Sequence, residues 1–127
     1  MTNAEYKLFA DALKASSLEA LLKENSFSFG PLLRLMIEDS PVKARVVYEK
    51  LEITKTYFYD ILKSKSKPPP PDKQFEIIRL LHPSPAVAAA FFDAAAKERG
   101  EFPADLQKHI DENNLFGALR AQYKLNE

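Results

Sequence analysis

A chain of 127 residues that is 46% hydrophobic suffices for one core and is short for two, which sets the expectation of a single domain. The absence of cysteine excludes disulfides, thiolate chemistry and every cysteine-based zinc site, and suits a reducing compartment. A formal net charge of +0 excludes a uniformly basic surface, so any phosphate-binding footprint has to be local.

With only 3 glycines and clusters of Ala, Leu, Lys and Glu, the composition favours helix over strand throughout. Tyr6, Phe9, Ala10 and Leu13, then Leu18, Leu21 and Leu22, recur at helical spacing, with a capping box at Ser16-Ser17-Leu18-Glu19 between them. Residues Asn25–Gly30 interrupt the pattern. Leu32, Leu33, Leu35, Met36 and Ile37 then predict an apolar helix ending near Asp39, and Ser40-Pro41 reads as an N-cap with proline at the first helical position. That places the next helix from about Pro41 to Leu51. Thr54 is the expected cap of a helix whose Phe58, Ile61 and Leu62 form an i, i+3, i+4 apolar face. Lys63-Ser64-Lys65-Ser66-Lys67 and a stiff, extended Pro68–Pro71 connector end it. Phe75, Ile78 and Leu81 mark a helix from about Asp72 to His82-Pro83. Ser84-Pro85 launches an alanine-rich helix to Arg99 with Val87, Phe91, Ala94 and Ala95 inward and Gly100 as its left-handed stop. Two short helices, Pro103–Glu112 and Leu115–Tyr123, complete the chain.

The order of these elements carries a resemblance. Phe29-Gly30-Pro31-Leu32-Leu33-Arg34 resembles the F-G-x-L-L-R opening of Cro/C1-type (XRE-family) helix-turn-helix regulators. Val42 to Leu51 is similar to the first helix of their motif, and Ile53-Thr54-Lys55-Thr56-Tyr57-Phe58-Tyr59-Asp60-Ile61 to their recognition helix. Lys63 to Pro69 resembles their basic, proline-ended exit. Further on, Ala95, Lys97, Glu98 and Arg99 followed by Pro103-Ala104-Asp105-Leu106 resemble an extension found in one bacterial branch. About two thirds of the chain is covered. The resemblance implies an all-α fold of the Cro/C1 helix-turn-helix type: an N-terminal helical extension at 1–28, a core at 29–83 and a C-terminal helical extension at 84–127.

Departures from the family pattern are physical predictions in themselves. Tyr48 stands where the family packs a small residue, and it is expected to push the two motif helices apart or tilt them. Glu52 stands where the turn goes left-handed, at a cost on the order of 1 kcal/mol without glycine, so a reshaped turn is expected. Ser64 replaces the glycine that ends the recognition helix. Ile37 and Leu62 occupy positions that many members join by a buried ion pair; replacing both partners by apolar side chains avoids a stranded charge and predicts that the two pack together in the core.

Candidate chemistry concentrates on the helix after Thr54. In the resembled family the positions of Lys55, Thr56, Tyr59 and Asp60 face base edges. Lys and Thr donate to acceptors, Tyr can meet a thymine methyl, and Asp accepts from cytosine. Lys55, Thr56, Tyr59 and Lys63 are expected on or beside the face opposite Phe58, Ile61 and Leu62. Thr54, Lys63, Lys65 and Lys67, with Lys43 and Arg45 at the start of the preceding helix, are the candidate phosphate contacts. The same pattern also describes an ordinary solvated helix face and a solubilising loop. The aromatic run Tyr57-Phe58-Tyr59 near Tyr48 supports an alternative, a protein-interaction module on the same scaffold.

No catalytic residue, cofactor or metal is expected, because His82 and His109 lack ligand spacing and adjacent helical acids such as Asp111 and Glu112 point apart. The expected partner is double-stranded DNA in transcriptional regulation, with a protein partner under the alternative. A homodimer is expected through either the Tyr6/Phe9/Leu13 stripe or the Leu115/Leu119/Tyr123 stripe. No membrane partner is expected, since no apolar run approaches the roughly 18 residues of a span. The opening Met1-Thr2-Asn3-Ala4-Glu5 lacks the order of a signal peptide, which makes a cytoplasmic location the expectation.

Overall fold

The computed structural model describes residues 18–23, 26–115, 117–118 and 120–121. The Tyr6/Phe9/Leu13 stripe, Ser16, Ser17, Leu119 and Tyr123 lie outside the described residues. Every regular element among those described is helical: α1 (18–23), α2 (Phe29–Glu38), α3 (Ala44–Lys50), α4 (Lys55–Leu62), α5 (Pro71–Leu81), α6 (Pro85–Arg99) and α7 (Ala104–Glu112), with helical residues again between 115 and 121. None of these helices is long and apolar enough to cross a membrane.

Helix α2 packs against both α4 and α6, so it forms the centre of the core. Its Phe29, Leu32, Leu33 and Met36 are buried, a 3.6-period stripe that meets Phe58, Ile61 and Leu62 of α4 and Val87, Phe91, Phe92 and Ala95 of α6 in one cluster. Phe29 and Phe91 lie with ring centroids 4.9 Å apart, and Phe92 bridges Phe91 at 5.4 Å and Phe75 at 5.1 Å. Burying each such side chain contributes about 1.5–3 kcal/mol. Leu62 is buried in this cluster and Ile37 packs half-buried against it, so neither position carries a charge that would need a partner.

Two helix starts differ from the sequence expectation. Residues Asn25–Gly30 do not all interrupt: α2 begins at Phe29 and takes Gly30 into its first turn. There glycine serves contact rather than chain reversal, because a Cβ on Gly30 would lie 2.6 Å from the backbone oxygens of both Ile61 and Leu62. Ser40-Pro41 does not start α3. The Ser40 hydroxyl accepts from the Val42 amide at 2.9 Å, a local turn that uses the cap side chain two residues on, and α3 starts only at Ala44. Ser84-Pro85 behaves as expected: the Ser84 Oγ accepts from Val87 N at 3.4 Å and proline opens α6. Gly100 closes that helix at φ 70.

Helix α5 is rotated from its expected setting. Gln74, Ile77 and Leu81 are its buried residues, while Phe75 and Ile78 flank the core half-buried. Gln74 turns inward because its Nε2 donates to the Pro69 carbonyl at 2.8 Å. The two nitrogens that follow that carbonyl belong to Pro70 and Pro71 and carry no hydrogen to donate.

Candidate functional site

Helices α3 and α4 are joined by the four residues Leu51 to Thr54. The turn keeps its left-handed residue despite lacking glycine: Glu52 has φ 57, its amide donates to Glu49 O at 3.1 Å, and Ile53 N donates to Tyr48 O at 3.2 Å. These paired 5→2 and 6→1 bonds form a Schellman motif, which satisfies two carbonyls at the end of α3. The expected reshaping of this turn is therefore not observed. From α5, Lys73 Nζ donates to the Leu51 carbonyl at 2.6 Å and fixes the same corner. The Tyr48 ring lies against Phe58 with centroids 5.7 Å apart, half-buried at the edge of the core.

Helix α4 starts where Thr54 Oγ1 accepts from Tyr57 N at 3.1 Å, as the sequence predicts for its cap. Phe58, Ile61 and Leu62 bury its inner side. At about 100° per residue, Thr56, Asp60 and Lys63 point most directly away from that side, Lys55 and Tyr59 share one flank, and Tyr57 takes the other. Thr54, Lys55, Thr56 and Lys63 are exposed. Tyr59 and Asp60 are less free than expected. The Tyr59 ring packs edge-on to Phe58 at 5.6 Å and leans half-buried on the core rather than opposite it. Asp60 is half-buried, because its carbonyl accepts from Lys65 N at 2.8 Å and Ser66 N at 3.2 Å, which folds the exit chain over it. Tyr57, not singled out among the base contacts from sequence, is 37% exposed; its flank position was readable from the helical period alone.

The exit from α4 repeats the device of the preceding turn. Ser64 sits at φ 61 with Ser64 N donating to Ile61 O at 3.1 Å, and the Lys65 amide completes a second Schellman pair. Lys63, Lys65 and Lys67 are exposed around it. Beyond them Pro68 and Pro69 are fully buried, and side chains take their carbonyls: Gln74 of the adjoining α5 at Pro69, and Arg99 Nη1 of α6 at Pro68 at 2.9 Å. Arg99 also grips Glu101, with Nε to Oε2 at 3.1 Å and Nη2 to Oε1 at 2.9 Å. This bidentate pair holds the Glu101 carboxyl below its ordinary range. One residue earlier, Glu98 accepts from the Phe29 amide at 2.6 Å and caps α2, whose own Ser28 does not.

Four lysines (55, 63, 65 and 67) thus stand against Asp60 alone on α4 and its exit. None of the four takes part in an ion pair among the described residues. Of the two cations at the start of α3, Lys43 is exposed, whereas the Arg45 guanidinium is already held by Glu49 at 2.8 Å. Sequence reading missed Lys73, Gln74, Glu98 and Arg99, whose bonds span 22, 5, 69 and 31 residues. No local pattern signals the three long-range bonds, whereas the run of prolines at 68–71 removes backbone donors beside the Pro69 carbonyl and is the one signal for Gln74. No protein-family model, no curated protein and no solved structure matches this chain.

Proposed function

We propose that this chain is a sequence-specific DNA-binding regulator of the Cro/C1 helix-turn-helix type, with α4 entering the major groove and the lysine-bearing exit loop lying along the flanking phosphates. One observation carries the reading: α4 is buried on Phe58, Ile61 and Leu62 while Lys55, Thr56 and Lys63 on its other sides stay exposed with no ion pair inside the protein among the described residues. Recognition helices present base-reading side chains from their N-terminal turns, where Lys55 and Thr56 stand. Phosphate contacts, by contrast, tolerate any sequence and suit the loop.

The test is selection of bound duplexes from a random double-stranded library at near-physiological salt, repeated with Lys55→Ala/Thr56→Ala. A motif that relaxes in the double variant supports the assignment, since each base contact discriminates by roughly 1–3 kcal/mol. A motif that survives unchanged moves the reading face elsewhere. The second reading, a protein-interaction module, draws on the exposed aromatic Tyr57 and on Val46, 40% exposed. Recovery of no motif, together with a protein partner lost on Tyr57→Ala, decides for it.

A further inference from the structure

We infer that Arg99 is a positioning residue for phosphate binding: it fixes the lysine-bearing loop after α4 by holding the Pro68 carbonyl, and makes no phosphate contact of its own. The inference rests on the DNA-binding reading and adds a residue from outside the α3–α4 unit.

The loop is tied at both ends. At its start the Lys65 and Ser66 amides bond the Asp60 carbonyl; at its end Pro68 and Pro69 are buried and their carbonyls are held by Arg99 and Gln74. Lys65 and Lys67 stand between these anchors, with nothing among the described residues pairing their ammonium groups. A flexible loop would spread those charges over many positions and lose ordering entropy on binding; a tied loop has already lost it. Arg99 itself is poorly placed to meet DNA. Its side chain is only 24% exposed, three of its five donors are engaged by Pro68 and Glu101, and the Glu101 carboxylate offsets its charge. Lysine replaces it poorly here: an ammonium reaches a single carbonyl, as Lys73 does at Leu51, but without the planar fork it does not hold that carbonyl and both Glu101 oxygens at once, and the anchor loosens.

The decisive variant is Arg99→Lys, measured beside Arg99→Ala. A direct phosphate contact survives the lysine, which binds phosphate well as a point charge; a positioning role does not. Both variants should speed hydrogen exchange at the Lys65 and Ser66 amides while leaving the core amides of α4 protected. Both should weaken binding to a short double-stranded oligonucleotide by roughly threefold to tenfold, the equivalent of about one phosphate contact. In a Lys63→Ala/Lys65→Ala/Lys67→Ala background, measured at reduced salt, either change at Arg99 should have no further effect. Unchanged exchange at Lys65 and Ser66, wild-type binding by Arg99→Lys, or an undiminished loss in the triple background each overturns the proposal and leaves the DNA reading standing. A wild-type chain that binds no duplex sinks both. Should Arg99→Ala fail to fold, Arg99→Lys alone still decides between the roles.

Discussion

The two sides of α4 obey different rules. On the inner side, backbone meets backbone: Gly30 lets α2 approach the carbonyls of Ile61 and Leu62 so closely that one methyl group would not fit. On the outer side, the lysine side chains end in solvent, unpaired among the described residues. The inner side therefore tolerates neither added volume nor a buried charge, whereas on the outer side stability is insensitive to both and charge governs what can bind. Around α4 the choice of residue makes the same distinction. Glycine stands at 30, where space demands it, but Glu52 and Ser64 occupy positive-φ positions where the demand is only conformational and costs about 1 kcal/mol.

The largest expected effects pull the two sides apart. Gly30→Ala should destabilise the fold by about 1–3 kcal/mol or more, since the obstructing atoms are backbone and a whole helix has to move. Urea unfolding measures this. Lys63→Ala/Lys65→Ala/Lys67→Ala should leave unfolding within about 0.5 kcal/mol of the wild type. The same variant should flatten the salt dependence of duplex binding, by up to about 0.9 in log–log slope for each phosphate that is no longer neutralised. A large drop in the stability of the lysine variant would dissolve the contrast, because it would mean that the outer side also holds the fold together.

Thr54 lies at the boundary, and its effect should be intermediate. Its hydroxyl satisfies an amide in the first turn of α4, so Thr54→Ala should cost about 1 kcal/mol, while Thr54→Ser should retain most of the wild-type stability. Removing the cap also frays the turn that bears Lys55 and Thr56, so duplex selectivity should fall together with stability. Selectivity that stays intact in Thr54→Ala at the full stability cost would separate the two properties.

Elements with local causes are legible in the sequence: the Thr54 and Ser84 caps, the Gly100 stop and the inner stripe of α4. Ser40-Pro41 misled because a serine hydroxyl can serve a turn as readily as a helix, and only the chain's later course selects between them. Gly30 misleads because it ends a stretch that breaks the apolar period, and a close-approach glycine looks no different from a loop glycine until the opposing backbone is known. Within the candidate site, period alone predicts the exposure of Lys55, Thr56 and Lys63. It cannot anticipate that the exit loop folds over Asp60 or that Tyr59 leans on Phe58, since the first depends on groups outside the helix and the second on how the helix seats in the core. The clamps from Lys73 and Arg99 are not legible because their partners lie 22 and 31 residues away on other elements.

The smallest expected effect isolates the conformational demand. Glu52 combines a left-handed backbone with an exposed carboxylate beside the proposed reading helix, so a single substitution changes strain and charge together. Comparing Glu52→Gly with Glu52→Ala separates them. Both remove the charge, but only glycine relieves φ 57. Relief contributes about 1–2 kcal/mol, and the greater freedom of glycine in the unfolded chain takes back about 0.5–1 kcal/mol. Glu52→Gly should therefore unfold at a free energy about 0.5–1 kcal/mol higher than Glu52→Ala. Both variants should bind duplex slightly more tightly than the wild type and by the same factor, because a carboxylate near phosphate repels it whatever the backbone does. Tighter binding by the glycine variant alone would mean that the angle between α3 and α4, and not the charge, limits recognition; the turn would then belong with the rigid inner side of the motif.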